Sequence, residues 1–376
     1  MSLVLEERGW GHLTDWVFVL PSVGAMCSPL FMAALADQRF RAEKLMALVL
    51  LANGLMTGAA FWCLHQGFAV AFLVFLVLKA LLGAPAWPLL MSVTLSNLKE
   101  PEREFGGVRV WGTVGWMMAG WSISALALDR SFSSGFFAMG LSFAAAVLCL
   151  FLPSTPPSGK VRKRLRDVLG FSAFKVLKNR EVAVYFATAA IFAIPVAAYY
   201  PYTSKFLGDL GVQRVALVMS LGQTTEIVGM LLLGWIFRNF RVKWTFLVAL
   251  GSGFLRYLFY GFNGCGAESL EGTVTWVVMG ILLHGVCWTF FFESGKLVID
   301  RRVPRELRAQ TQALMSVLTG GLAMIVGVLF SGWLYRFTVV AEQGGWERFW
   351  AIQSGICLIA IALFAIGYRV QKVTRV

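Results

Sequence analysis

Charge is scarce in this 376-residue chain: Asp, Glu, Lys and Arg together make up 14% of it. Paired cysteines are missing too. The six that occur (Cys27, Cys63, Cys149, Cys265, Cys287 and Cys357) are scattered singly, five of them inside apolar runs. That pattern speaks against a disulfide framework or a cysteine metal site and leaves small buried hydrophobes. No glycine loop ends in Lys and Ser or Thr, so nothing points to an ATP-driven machine. Neither an HExxH helix nor a nucleophile elbow occurs, and the chain does not read as an enzyme; no metal and no cofactor are expected. The opening residues, MSLVLEERGWGHLTD, lack the basic start and apolar middle of a signal peptide, so no cleaved leader is expected either.

What the chain has in excess is apolar surface. Hydrophobic residues make up 58%, with 31 Phe and 14 Trp, and the mean hydropathy is +0.71. A water-soluble domain could not cover that much, so the class is an all-α integral membrane protein with lipid as its main solvent. Apolar runs of spanning length fall at about 16–35, 45–64, 68–96, 110–127 and 136–152, and then at about 182–201, 214–236, 244–262, 273–298, 309–334 and 347–367. This predicts about 11 transmembrane helices, five and then six. Between the two groups lies the longest polar stretch, residues 153–181, opened by Pro153, Pro156 and Pro157 and carrying eight basic residues against Asp167 and Glu181. The organisation expected is a bundle over 1–152, a basic linker over 153–181 and a second bundle over 182–376.

The net charge of +13 would suit nucleic acid, but the basic residues sit in short loops between apolar runs. That is the pattern of topology determinants facing an anionic leaflet, and no nucleic-acid partner is expected. With the linker in the cytoplasm, the segments on its side hold 24 Lys and Arg. The opposite loops hold five: Arg130, Lys205, Arg214, Arg336 and Arg348. The linker and C-terminus are therefore expected on the cytoplasmic side of an inner membrane, with the N-terminus outside. The segment MAALADQRFRAEKL follows the first helix, yet its echo LLGWIFRNFRVKWT follows the second helix of the other group. This implies a six-plus-six repeat whose first helix is lacking here.

Ionised groups near a bilayer centre cost roughly 2.5 to 3.5 kcal/mol each on insertion scales, so each needs a partner or a task. Gln223 and Glu226 lie three apart on one helical face, near mid-membrane. A carboxylate withdrawn from water there is suited to take and release a proton; the alternative is a structural pair with Arg256 on the next helix. Arg109 and Thr113 share a face, with Trp116 further down the same stripe. Together they can hydrogen-bond to and stack on a flat polar solute; alternatively Arg109 snorkels to phosphates, and Gly112 and Gly115 permit close packing. Glu293 and Lys296 read either as an intrahelical ion pair or as a gating or proton site. His284 reads as a proton relay or as a buried structural histidine. Gly327 and Ser331 form a small-residue packing face.

Two bundles joined by a basic loop, with Asp37, Arg39 and Arg41 in the first short loop, resemble the major facilitator superfamily; Ala34 and Phe40 stand where that family's loop motif has glycines. VRVWGTVGW (108–116), SLGQTTEIVGMLLL (220–233), FFFESGKLVIDRRVP (290–304) and RELRAQTQALM (305–315) resemble its nucleoside:proton symporter branch. The resemblance implies a major-facilitator bundle in two pseudo-symmetric halves that rocks around a midplane site. It further implies a nucleoside-like small molecule as substrate, a proton as coupling ion, and a monomer. Arg109, Thr113, Trp116, Gln223 and Thr289 would bind substrate, Glu226, Glu293 and His284 would couple protons, and Asp37, Arg39 and Arg41 would gate. Thr289 occupies a position where the branch commonly has an acidic residue, and Ala197 and Tyr200 replace polar residues of the seventh helix. Two other readings stay open: a carrier of another small polar solute, and a non-transporting membrane receptor or scaffold.

Overall fold

A computed structural model describes residues 1–36, 41–99, 101–155, 171–262, 270–304, 307–341 and 345–369. Asp37, Arg39 and the basic residues at 160–166 of the linker lie outside the described residues. Lipid offers no partner for a bare backbone amide, so an apolar chain in it closes its hydrogen bonds within helices. The described residues accordingly form α1 (Ser2–Glu7), α2 (Thr14–Ala36), α3 (Ala42–Gln66), α4 (Ala69–Gly83), α5 (Ala86–Asn97), α6 (Pro101–Ala125) and α7 (Ser133–Cys149). After the linker come α8 (Arg180–Ala198), α9 (Ser204–Asp209), α10 (Val215–Asn239), α11 (Val242–Gly261), α12 (Leu270–Cys287), α13 (Ser294–Arg302), α14 (Arg308–Met315), α15 (Ala323–Tyr335) and α16 (Trp346–Gly367).

Several of these join end to end. α4 and α5 are parted only by Ala84 and Pro85, while π-helical turns at Tyr199–Thr203, Trp288–Glu293 and Ser316–Leu322 link α8 to α9, α12 to α13 and α14 to α15. A fourth π turn, Arg336–Val340, prolongs α15. Apart from the short α1 and the 3-10 helices Gly11–Leu13 and Phe171–Lys178, the described residues make eleven helical segments, five before the linker and six after it, each on one of the apolar runs read from the sequence. Seven of them are long and apolar enough to cross a membrane on length and composition alone.

The two halves have different interiors. Behind α8, α11, α12 and α16 lies a large aromatic core, with Tyr185, Phe192, Phe246, Phe291, Trp350 and Phe364 almost wholly buried. The first half holds two smaller clusters, one around Phe61 and Phe72 and one around Met46 and Leu89. Helices approach closely where glycine removes the side chain. A Cβ at Gly222 would stand 3.0 Å from the Ile281 carbonyl, and one at Gly327 would stand 2.8 Å from the Ile194 Cα. Ser331, on the face of Gly327, is fully buried and accepts from Gln353 Nε2 at 3.0 Å.

Two helix pairs bring the halves together: α6 lies along α10, and α2 lies against α15 and the 316–322 turn. Val19, Ala197 and Val328 form a small apolar cluster across the second pair. This seam positions the candidate site.

Candidate functional site

Midway along α6 and α10 a chain of hydrogen bonds crosses the seam. Arg109 Nη1 donates to Thr113 Oγ1 at 3.4 Å, and the Thr113 hydroxyl donates to Glu226 Oε1 at 3.1 Å. Arg109 and Thr113 meet because they are four residues apart on a helix, and Glu226 meets them because α10 runs antiparallel alongside. Thr113 and Glu226 are buried, at 3% and 6% exposure, so water does not compete for the bond. The Arg109 guanidinium also lies 5.2 Å over the Trp87 ring, which holds it inside the protein instead of at the lipid phosphates. Among the described residues Glu226 has no ion-pair partner; the pairing with Arg256 that sequence spacing allowed is not formed.

The other expected substrate contacts divide. Trp116 is 61% exposed and meets the Tyr200 ring edge-on at 6.3 Å across the seam. Gln223 is buried, and the amide orientation that its surroundings require turns its nitrogen to the carbonyls of Met219 (3.2 Å) and Ser220 (2.9 Å) in its own helix. Thr289 is fully buried and its hydroxyl donates to the Glu226 carbonyl at 3.4 Å, tying the 288–293 turn to α10. It holds the helix that carries Glu226 and does not face the open seam, because its hydroxyl has found a backbone carbonyl instead.

Of the expected proton-coupling groups, Glu293 accepts from Lys296 Nζ at 2.9 Å, the intrahelical pair that their spacing allows. His284 lies behind the site at 1% exposure. It is stacked on Tyr199 at 4.2 Å, and its Nδ1 is 2.7 Å from Arg256 Nη1. Its partner is thus a guanidinium and not Glu226. Of the loop residues expected to gate, Arg41 is exposed in extended backbone just ahead of α3. No group of three or more His, Cys, Asp or Glu suited to a metal occurs among the described residues.

Sequence reasoning missed the polar groups at the end of the seam opposite the linker. Asp15, at the start of α2, accepts from Arg336 Nη1 at 2.6 Å and from the Tyr202 hydroxyl. Its side chain is 8% exposed, and a Cβ at Gly332 would collide with the carboxylate. Nearby, Glu6 pairs with Lys205 at 3.0 Å, Lys205 lies 4.6 Å over Tyr335, and Glu7 pairs with Arg130 at 2.9 Å. The first turn of α10 is capped from the other half: Asp129 Oδ1 accepts from Ala216 N at 2.7 Å, and Ser124 Oγ accepts from Leu217 N at 2.9 Å. Trp121 Nε1 donates to Ser220 Oγ at 2.9 Å. The available signal was the acidic residues Glu6, Glu7, Asp15, Asp129 and Asp209, close to the ends of apolar runs opposite the linker, matched to the few basic residues on that side.

Comparison with known proteins agrees with the fold. The family described as nucleoside H+ symporter matches residues 9–373. The putative nucleoside transporter YegT of Escherichia coli (strain K12) is 26% identical over 367 residues, covering 94% of this chain and 85% of that protein. Xanthosine permease of the same organism is 25% identical, covering 96% of this chain and 88% of its own. The crystal structure of nucleoside transporter NupG superposes with a TM-score of 0.83 at 20% identity, covering 98% of this chain and 94% of that one, which speaks to the fold. With its whole length from residue 9 to residue 373 matched, this chain belongs to the nucleoside H+ symporter family, as a multi-pass membrane transporter of small molecules.

Proposed function

We propose that the chain carries a nucleoside together with a proton, and that Glu226 is the proton site. The observation that carries this reading is the Arg109–Thr113–Glu226 chain: one carboxylate, buried at mid-membrane, bonded across the seam and without an ion pair among the described residues. A structural carboxylate at that depth would be neutralised by a fixed cation. One whose partner is a hydroxyl on the opposite half can exchange its proton as the halves part, because Thr113 can donate to the carboxylate or accept from the carboxylic acid. Trp116 and Tyr200 supply aromatic faces across the seam, and a nucleobase offers a flat face to stack and an edge to hydrogen-bond. Arg109 supplies donors of fixed geometry for sugar hydroxyls or base carbonyls. Gln223 and Thr289 set the shape of α10 around Glu226.

The polar contacts joining the halves run from the middle of the seam to the end away from the linker. Towards the linker, Leu231 and Trp235, which lie near the Ser220 face of α10, are exposed. This supports a state in which the site opens towards the linker. The basic excess on that side supports a cytoplasmic linker and C-terminus in an inner membrane. Three of the five basic residues in the opposite loops, Arg130, Lys205 and Arg336, are each paired to a carboxylate and so weigh less against that orientation. Both sides of the seam come from one chain, which supports a monomer.

Uptake of radiolabelled uridine, adenosine and xanthosine into proteoliposomes under an imposed proton gradient tests the reading. Gradient-driven accumulation of at least one is expected. Absence of flux for all three, with saturable binding of a different solute, would overturn it.

A further inference from the structure

Arg256 is fully buried in α11, in the aromatic core of the second half. A guanidinium has five donors, no acceptor and a charge it does not surrender. Among the described residues its hydrogen-bond partners carry no negative charge. Nη1 donates to His284 Nδ1 at 2.7 Å and lies 3.7 Å from Cys287 Sγ, and Nη2 donates to the Tyr257 hydroxyl. The cation is also set 4.9 Å over the Tyr199 ring and 4.4 Å over the Tyr257 ring. Such an arrangement is costly in lipid, and a purely structural tie could have been made with apolar side chains.

Two chemical consequences follow. Because arginine can only donate, Nδ1 of His284 must accept; the ring is neutral, with its hydrogen on Nε2, and a second cation against the guanidinium is disfavoured. On the other side, the Tyr257 hydroxyl passes its own hydrogen to the Pro195 carbonyl, next to the point where α8 gives way to the 199–203 turn. Arg256 thus ties together two interrupted helices, α8 ahead of its π turn and α12 ahead of the 288–293 turn. Those turns carry Tyr199, Tyr200 and Trp288. His284 stacks on Tyr199, lies 6.1 Å from Trp288 at a shallow angle, and meets Tyr200 edge-on at 6.2 Å. Tyr200 in turn faces Trp116 of the first half.

We infer that Arg256 is a positioning residue of the transport site: by fixing His284 as its Nε2–H tautomer and bracing Pro195 through Tyr257, it holds the Tyr200 and Trp288 wall against which the substrate base stacks. The inference rests on the nucleoside reading. The π register of the two turns weakens their backbone ladders, and the guanidinium reaches α12 directly through His284 and α8 through Tyr257 and Pro195, which is why the brace acts on binding and not only on folding.

Nitrogen-15 NMR of the full chain labelled at its three histidines, with the His284 signal assigned by H284Q, tests the tautomer directly. A single Nε2–H signal is expected, and an Nδ1–H or protonated ring would overturn the inference. In the same preparation, R256M is expected to give mixed tautomers and to weaken tritiated uridine binding by about tenfold or more, with the thermal transition retained. R256K, which can still donate to Nδ1, is expected to recover part of the affinity. A folded R256M with unchanged affinity would overturn the inference. If R256M fails to fold, the wild-type tautomer and the R256K affinity decide instead, and an R256K variant with scrambled tautomer but full affinity would overturn it. Wild-type protein that binds no nucleoside at all would defeat the proposed function while leaving the tautomer result standing.

Discussion

The two ends of the seam between α6 and α10 and between α2 and α15 are built differently. Away from the linker, carboxylates of the first half meet cations, hydroxyls and helix-end amides of the second: Asp15 with Arg336 and Tyr202, Glu6 with Lys205, and Asp129 with the first turn of α10. Towards the linker, Leu231 and Trp235 near the Ser220 face of α10 are exposed. Directional polar contacts select one relative placement of the halves, whereas apolar faces in lipid accept many, because lipid tails are as apolar as leucine. The molecule is therefore stitched at one end and free to part at the other, with Glu226 at the boundary between the two regimes.

The largest effect is expected at that boundary. E226Q keeps the hydrogen bond from Thr113 but removes the titrating group, so gradient-driven accumulation should vanish while nucleoside exchange across the membrane persists; equal accumulation in variant and wild type would remove Glu226 from the coupling step. Next comes the stitched end. D15A leaves a buried tyrosine hydroxyl and a guanidinium without their acceptor, a loss of about 2 kcal/mol. A membrane-impermeant maleimide should then label a cysteine placed at Val19 several-fold faster from the side away from the linker, in a background freed of native cysteines. Labelling as slow as in the parent would show that Asp15 does not hold the seam shut. D129A strips a cap from α10 and should cost about 1 kcal/mol, read as a small drop in the apparent Tm in detergent; no drop would show that solvent serves those amides equally well. The smallest effect belongs to E7Q. Its pair with Arg130 is half-exposed and screened, so neither Tm nor flux should move measurably at physiological salt.

Much of the fold was legible in the sequence because lipid imposes a simple rule. Each apolar run had to become a helix to close its own backbone hydrogen bonds, and eleven did. The facing of Arg109 and Thr113 was legible for the same reason, since residues four apart share a helical face. The π turns were legible only in part. Pro201 in YYPYT lacks the N–H that a regular α register uses, but nothing in WTFFFE distinguishes a π register from an α register, and the choice there depends on which neighbour accepts the displaced backbone groups. The partner of Glu226 was beyond reach as well: Arg256 and Thr113 were both at plausible depth, one on the next helix and one in the other half.

From the sequence alone came the membrane class, the number and order of the helices, the two-group organisation and the residues with chemistry to offer, because these depend on composition and on spacing along a single helix. Which of those residues meet was decided only in three dimensions. Glu226 bonds to a threonine 113 positions earlier, Asp15 to an arginine 321 positions later, and His284 lies 2.7 Å from the guanidinium of Arg256, 28 positions earlier. Such pairings depend on how helices distant in the chain are packed, and local spacing carries no record of that packing.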